Sequence, residues 1–207
     1  MIGQVTADLT EVETAAGESA LGDVIADAQL AATSGPTTGN AVVAFMNPGG
    51  IRADLTFAQS GTEGDGNVTF SEAFTTQPFG NSLVTMTLTG AQIDTLLEQQ
   101  FDNNEAGQMR ILQVSAGFSY TWDAAMPTGS KVDPATIIID GGAIDLGAEY
   151  RVTVNSFLAD GGDNFAVLVD GTDRLGGEVD LDALVTYFGI NSPIVPNPAP
   201  SRISTIN

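Results

Sequence analysis

The spacing of apolar residues predicts three helices in this chain. Between residues 19 and 33, leucine, valine, isoleucine and alanine recur at intervals of three and four, and Ser19 is placed to cap the start. A second helix is predicted after Thr89, because Gln92 follows three residues later and completes a capping box. A third is predicted from a cap at Asp180, where apolar side chains recur at i, i+3, i+4 and i+7.

Short apolar and alternating segments between these helices predict strands. Residues 41–46 form a continuous apolar segment that is typical of a strand buried on both faces, and residues 83–88 form another strand. Residues 150–155 alternate, and the longest alternation, over residues 112–122, predicts one long half-buried strand. Strands and helices are mixed, with no repeat and no linker. We therefore predict a single α+β (irregular α/β) domain over residues 1–207, with flanking helices on a mixed β-sheet.

The composition limits the chemistry that the chain can perform. Its 207 residues include 6 Lys+Arg against 26 Asp+Glu, for a formal net charge of −20, and neither histidine nor cysteine. Such a charge repels nucleic-acid backbones, so we expect no binding to a nucleic-acid polymer. Imidazole and thiolate catalysis and the commonest zinc ligands are excluded. No apolar segment is long enough to span a bilayer, and the first residues do not form a signal peptide.

The segment 155–165 contains two residues that do not fit an ordinary strand end. A strand pattern leads into it and stops at Gly161-Gly162. Taken alone, the segment favours a strand end with Phe157 in the core and Asp163 solvated in a turn. The alternative is a binding loop, in which the aromatic ring offers a π face and the carboxylate accepts hydrogen bonds from hydroxyls. A calcium site also stays open, because Asp160-Gly161-Gly162-Asp163 faintly resembles one copy of a β-roll repeat that needs several.

Three glycine-bearing loops together offer a set of side chains suited to a nucleoside. Two rings can clamp a base, with stacking worth roughly 1–3 kcal/mol. A carboxylate can take a ribose diol, amides can read base edges, and an arginine fork suits phosphate or ribose oxygens. That arginine can equally well satisfy backbone carbonyls or a surface carboxylate. The candidate residues are Asn47, Gly49, Gly50, Arg52, Phe79, Asn81, Phe157 and Asp163.

The three loops carry motifs that occur together in one protein family. The motifs are Asn47-Pro48-Gly49-Gly50-Ile51-Arg52, Gln77-Pro78-Phe79-Gly80-Asn81 and Asn155-Ser156-Phe157-Leu158-Ala159-Asp160-Gly161-Gly162-Asp163-Asn164-Phe165. In order and spacing they resemble the C-terminal domain of the 5′-nucleotidase / UDP-sugar hydrolase family. The resemblance implies that Phe79 and Phe157 clamp the base and that Asp163 holds the ribose hydroxyls. It implies that Arg52 binds ribose or phosphate oxygens, with Asn47 and Asn81 as polar neighbours.

The resemblance also implies a second domain that this chain lacks. Family enzymes have an N-terminal metallophosphoesterase domain with two divalent metal ions, such as Zn, Mn or Co, and a His-Asp dyad. We therefore expect no cofactor in this chain, no phosphatase activity from it alone, and an extracellular, periplasmic or cell-surface parent. One departure is that residues 11–18 contain no arginine, whereas family members usually carry one there. Two alternatives remain: a non-catalytic interaction module with a vestigial site, or a parent acting on UDP-sugars, cyclic nucleotides or another substrate.

Overall fold

The computed structural model describes residues 1–102 and 109–206, which contain five α-helices and eleven strands. The helices are α1 (Ala20–Thr33), α2 (Phe70–Thr76), α3 (Gly90–Gln99), α4 (Ser156–Ala159) and α5 (Asp180–Asn191). The strands are β1 (Gly3–Gln4), β2 (Val43–Met46), β3 (Asn67–Val68), β4 (Ser82–Thr89), β5 (Gln113–Val114), β6 (Phe118–Asp123), β7 (Ile138–Ile139), β8 (Gly142–Ala143), β9 (Glu149–Asn155), β10 (Thr172–Val179) and β11 (Ile203–Ile206). None of these helices has the length and apolarity needed to cross a bilayer.

The helix starts follow the capping signals in the sequence, with one exception. The Ser19 hydroxyl accepts a hydrogen bond from the backbone N–H of Gly22 at 3.1 Å, which caps α1. Thr89 and Gln92 form the predicted capping box at α3. The predicted cap of α5 is wrong by one residue: Val179 is the cap, and Asp180 is the first helical residue. The Asp180 carboxylate still accepts a hydrogen bond from the backbone N–H of Leu181 at 2.8 Å.

A five-stranded mixed sheet forms the centre of the molecule, in the order β10-β4-β9-β2-β5. β2 and β9 are parallel, and the other neighbouring pairs are antiparallel. All four residues of β2 are buried, which confirms the prediction of a strand covered on both faces. A separate second sheet has the order β11-β6-β7-β8. The strands β1 and β3 pair in a two-stranded sheet.

Two hydrophobic cores lie on opposite faces of the central sheet. Side chains alternate between the faces along each strand, so Phe45 enters one core and Met46 the other. The first core is completed by α3 and by the second sheet, and the other by α1, α2 and α5. These layers confirm the predicted α+β architecture with helices flanking a mixed sheet.

The long strand predicted over residues 112–122 is wrong, because the chain turns within it. β5 belongs to the central sheet and β6 to the second sheet, with a turn at residues 115–117 between them. Gly117 has a φ of +88°, which only glycine adopts without strain, and the Ser115 hydroxyl accepts a hydrogen bond from the Ala44 N–H at 2.9 Å. The alternation of apolar and polar residues continues across the turn, and the aromatic side chains of β6 are all buried. The two-residue period alone therefore could not reveal the turn.

The C-terminal strand is fastened to α1 by charged groups. The Glu18 carboxylate accepts hydrogen bonds from the backbone N–H groups of Arg202 and Ile203, both at 2.9 Å. The Arg202 guanidinium makes a bidentate pair with Asp27, at 2.7 and 2.8 Å, and lies 3.6 Å from Asp23. These contacts place β11 beside β6, where the two strands pair in parallel.

Candidate nucleoside-binding site

The sheet topology brings the three glycine-bearing loops to one edge. β2 and β9 are parallel, so the loops that follow them leave the sheet at the same side. β4 runs antiparallel to β9 with Leu83 opposite Asn155, so the loop that precedes β4 reaches that side as well. β5 is antiparallel to β2 with Met46 opposite Gln113, which adds the residues before β5. Segments far apart in sequence therefore meet without any unusual local geometry.

Seven of the eight predicted site residues line one cavity of about 230 Å³ at this edge. They are Asn47, Gly49, Gly50, Phe79, Asn81, Phe157 and Asp163. Arg52 is the exception: it is exposed, lies outside the lining, and places its Nη1 3.4 Å from the carbonyl oxygen of Gly49. A concave site with apolar walls and a few convergent polar groups is typical of small-molecule binding.

Both aromatic rings of the cavity are half exposed. Phe79 is 57% exposed and Phe157 46%, so the expectation of a core position for Phe157 is wrong. The reason is its place in α4, where the following residues, Leu158 and Ala159, face the interior instead. The ring of Phe157 lies against Gly162, where a Cβ atom would come within 2.6 Å of the ring atoms Cε1 and Cζ. Glycine at position 162 therefore lets the ring lie close against the loop.

Asp163 is held in place by its neighbours. The segment alone suggested a solvated turn residue, and that expectation is wrong. Its carboxylate Oδ2 accepts a hydrogen bond from Asn47 Nδ2 at 2.9 Å, and the side chain is 20% exposed. Its backbone is left-handed, with φ of 55°, next to Asn164 with φ of 66°. A non-glycine residue in this region costs free energy and persists only where the surroundings impose it.

Asn155 connects the two halves of the site, a role that was not predicted. Its side chain is buried; Nδ2 donates to Asn47 Oδ1 at 2.9 Å, and Oδ1 accepts from the backbone N–H of Leu158 at 2.9 Å. The first bond orients the partner of Asp163, and the second caps α4, which carries Phe157. An asparagine at a strand end before a helical turn is the sequence signal that could have identified it.

Arg110 is a second unpredicted member of this region. Its Nη1 lies 3.6 Å from Asp163 Oδ1 and 3.5 Å from the backbone carbonyl oxygen of Asp163. Alternation placed the start of a strand near residue 112 but gave no pairing partner. The register with β2, which brings Arg110 to the edge, could not be read from the sequence.

The Asn81 side chain is partly engaged by the protein. Its Oδ1 accepts a hydrogen bond from the Ser156 hydroxyl at 3.3 Å, and its backbone carbonyl oxygen accepts one from the backbone N–H of Asp180 at 2.8 Å. Burial raises the pKa of Asp180, and the hydrogen bonds from Leu181 and Asn81 oppose that shift. Asn81 therefore links the start of β4 to α5, besides lining the cavity.

The segment before α1, where family members usually carry an arginine, holds acidic residues. They border the loop at residues 47–52, the first of the three glycine-bearing loops. Glu11 and Glu13 line a neighbouring cavity of about 390 Å³ together with Pro48 and Ile51. Burial raises the pKa of Glu13, and the charge of Glu11 raises it further. Across residues 1–102 and 109–206, acidic side chains form no group of three or more that could hold a metal ion, so the calcium hypothesis gains no support.

Comparisons with known proteins show the family to which this fold belongs. Residues 1–170 match the family described as 5′-nucleotidase, C-terminal domain. The chain is 30% identical, over its full length, to a 5′-nucleotidase-related protein of Glossina morsitans morsitans, and 33% identical over 83% of its length to cell wall protein Lmo0130 of Listeria monocytogenes. The crystal structure of the 5′-nucleotidase precursor from Thermus thermophilus superposes on the whole chain with a TM-score of 0.79 and 32% identity. The chain spans 38%, 21% and 39% of these three proteins, respectively. It belongs to the 5′-nucleotidase C-terminal domain family.

Proposed function

We propose that this chain is the nucleoside-recognition domain of a 5′-nucleotidase-like phosphoester hydrolase that acts in nucleotide catabolism. The observation that carries the proposal is the convergence of Phe79, Phe157 and Asp163 on one cavity, with both rings half exposed. In this proposal the base stacks on the rings, and the Asp163 carboxylate accepts hydrogen bonds from the ribose hydroxyls.

The chemistry of the lining suits this division of tasks. A carboxylate has about four acceptor positions, and Asn47 uses one of those on Oδ2, so Asp163 retains the capacity to accept from a vicinal diol. Stacking contributes roughly 1–3 kcal/mol per base and tolerates different bases, because every base has a π face. Arg52, outside the lining, is assigned to the ribose or phosphate oxygens that extend from the cavity. Asn47 and Asn81 act as polar neighbours of the base and ribose.

We assign the chemical step to an N-terminal metallophosphoesterase domain of the parent protein, with two divalent metal ions such as Zn, Mn or Co. The relatives support this assignment because they are much longer than this chain, which spans 38% of one and 39% of another. Here the described residues supply no set of metal ligands, so the role of this domain is to position the nucleoside. We place the parent outside the cell, in the periplasm or on the cell surface, as the name of the Listeria relative suggests.

Titration of the purified chain with adenosine tests the proposal. We expect saturable binding by calorimetry and chemical-shift changes at the cavity. Phe157→Ala should weaken the affinity by roughly 5- to 150-fold, the equivalent of one lost stacking contact of 1–3 kcal/mol. Phe74→Ala is a matched control, because that ring is 50% exposed but lies outside the cavity lining. Absence of saturable binding, or equal affinity in the Phe157→Ala variant, would contradict the proposal.

A second candidate is a non-catalytic module whose nucleotide site has decayed. The carboxylates of Glu11 and Glu13 beside the first loop favour it, because they repel a phosphate group. Intact adenosine binding together with much weaker AMP binding would support a site that no longer accepts nucleotides. A parent that acts on UDP-sugars or cyclic nucleotides would bind those ligands in preference to AMP.

A further inference from the structure

We propose that Arg110 is a positioning residue that sets the ribose selectivity of the site by fixing Asp163, an inference that rests on the proposed nucleoside function. Strand register explains how it reaches the site. Met46 pairs with Gln113 in antiparallel β2 and β5, so the residues before Gln113 extend past the end of β2, beside the first loop. Asn47, which follows Met46 directly, donates to Oδ2 of Asp163, and Arg110 faces Oδ1. The two side chains therefore hold the carboxylate by different oxygens.

The contact involves both the side chain and the backbone of one strained residue. Arg110 Nη1 lies 3.6 Å from Asp163 Oδ1 and 3.5 Å from the Asp163 carbonyl oxygen. A guanidinium has several donors in a fixed plane, so it can restrain a carboxylate and a carbonyl together, which a lysine ammonium does less well. Because Asp163 is left-handed, with φ of 55°, its conformation needs restraint from outside the loop.

The restraint has a consequence for the ligand. With Asn47 on one oxygen and Arg110 beside the other, rotation of the carboxylate about its own axis is limited, and both oxygens keep acceptor positions. A vicinal diol needs two acceptors at a fixed separation, whereas a sugar without hydroxyls needs neither. The side chains of Arg110 and Asp163 are 32% and 20% exposed, so water screens the pair only in part. The arginine therefore acts on the ribose through Asp163.

The test compares the affinities of adenosine and 2′,3′-dideoxyadenosine for the full chain. In the wild type we expect adenosine to bind about tenfold more tightly or better, because two hydrogen bonds to a charged acceptor are involved. Arg110→Gln should bring the two affinities to within about twofold through a loss of adenosine binding, with dideoxyadenosine binding unchanged. Arg110→Lys should retain part of the selectivity. Arg151→Gln is the control, since that arginine bonds to Gly39, Thr87 and Asp173 away from the cavity and should keep full selectivity.

A double variant separates positioning from direct contact. In an Asp163→Ala background, Arg110→Gln should cause no further loss of adenosine affinity, because the arginine acts through the carboxylate. A further loss there, or a greater loss for AMP than for adenosine in the single variant, would overturn the proposal by showing direct contact with the ligand. Unchanged selectivity in Arg110→Gln would also overturn it while leaving the nucleoside site intact. A wild type that does not bind adenosine would overturn both proposals, and thermal unfolding of each variant verifies that it is folded.

Discussion

The absence of a side chain at position 162 determines where the Phe157 ring lies. A Cβ atom there would be 2.6 Å from the Phe157 carbonyl oxygen as well as from the ring, and a backbone atom cannot move aside as a side chain can. The half-exposed position of the ring therefore depends on a residue that offers the ligand no functional group. The shape of this site therefore depends on the lack of a side chain at position 162 as well as on the side chains that line the cavity.

We expect Gly162→Ala to weaken adenosine binding by about tenfold, because the displaced ring loses much of its stacking contact. The φ of Gly162 is not in the left-handed region, so the effect arises from the space that the methyl group takes, against both the ring and the carbonyl oxygen of Phe157. Gly176→Ala is the matched control, since no atom lies within 4 Å of the Cβ it would add. Calorimetric titration measures the effect, and an unchanged affinity in Gly162→Ala would show that the ring does not need its present position.

The site residues that could be predicted are those whose types carry chemistry and whose loops contain glycine. Phe79, Phe157 and Asp163 stood out because an aromatic or a carboxylate beside glycines is unusual in a strand end. Asn155 and Arg110 did not, since their roles depend on strand register and on hydrogen bonds across more than fifty residues. The exposure of Phe157 could not be predicted from the sequence either. A four-residue helix such as α4 is too short for its apolar spacing to reveal which face is buried.

Among the elements, α1 and β11 are joined by a cluster of ionisable groups that includes one buried acid, Asp23. The pKa of Asp23 is raised to about 8, chiefly by burial; the charges of Glu18 and Asp27 add to the shift, and that of Arg202 opposes it. The Asp23 side chain is 5% exposed, and its Oδ1 has no hydrogen-bond partner among the described residues. At neutral pH the protonated form of Asp23 is therefore favoured.

This pKa predicts that the contribution of Asp23 to the free energy of unfolding falls as pH rises from about 4 to about 8. The unfolded chain releases the Asp23 proton near pH 3.8, whereas the folded chain retains it to about pH 8, so each step of pH within that window favours unfolding. Asp23→Asn should remove this contribution, on the order of a few kcal/mol across the window. Denaturant unfolding at several pH values measures it.

The control for that experiment is Asp182→Asn, which removes a carboxyl group from an exposed position in the first turn of α5. Both variants remove one acidic group from the unfolded chain, so the titration of that state is matched between them. If the pH slopes of Asp23→Asn and Asp182→Asn are the same, the buried acid is not the origin of the pH dependence.

Elements were predictable where a local signal fixed them. The capping box of α3 and the apolar segment of β2 gave a correct helix start and a correct buried strand. β10 was not predicted, because its residues Thr172–Val179 are largely exposed and include two glycines, so no alternation marks them. β11 was not predicted either. It follows a proline-rich segment and pairs in parallel with β6, and no local sequence signal marks such a long-range pairing.

The molecule as a whole places every proposed ligand contact at one edge of its central sheet. The chain carries a strong negative charge, and the described residues contain no metal-binding group. In the proposed function, the substrate phosphate points away from the cavity and is neutralised by groups of the parent's other domain. Under that proposal, this domain selects the substrate and presents it.

We expect the purified chain to release no phosphate from AMP, with or without added Zn²⁺, Mn²⁺ or Co²⁺. The physical reason is that the roles proposed for Phe79, Phe157 and Asp163 are to bind and orient a nucleoside, and none of them is assigned to activate a water molecule. A colorimetric phosphate assay on protein freed of contaminating phosphatases provides the measurement. Metal-dependent turnover that survives repurification and disappears in Asp163→Ala would contradict the division between the two domains.

The double role of Asn155 has a consequence for redesigning the base preference. One amide both bonds to Asn47, the partner of Asp163, and caps the helix that carries Phe157. Under the proposed function, we expect changes on that side to alter sugar and base recognition together. Phe79 stands on a separate loop, in which Gly80 has a φ of +64° and should stay glycine. A library aimed at new bases should therefore vary Phe79 and keep both Gly80 and the Asn155 side unchanged.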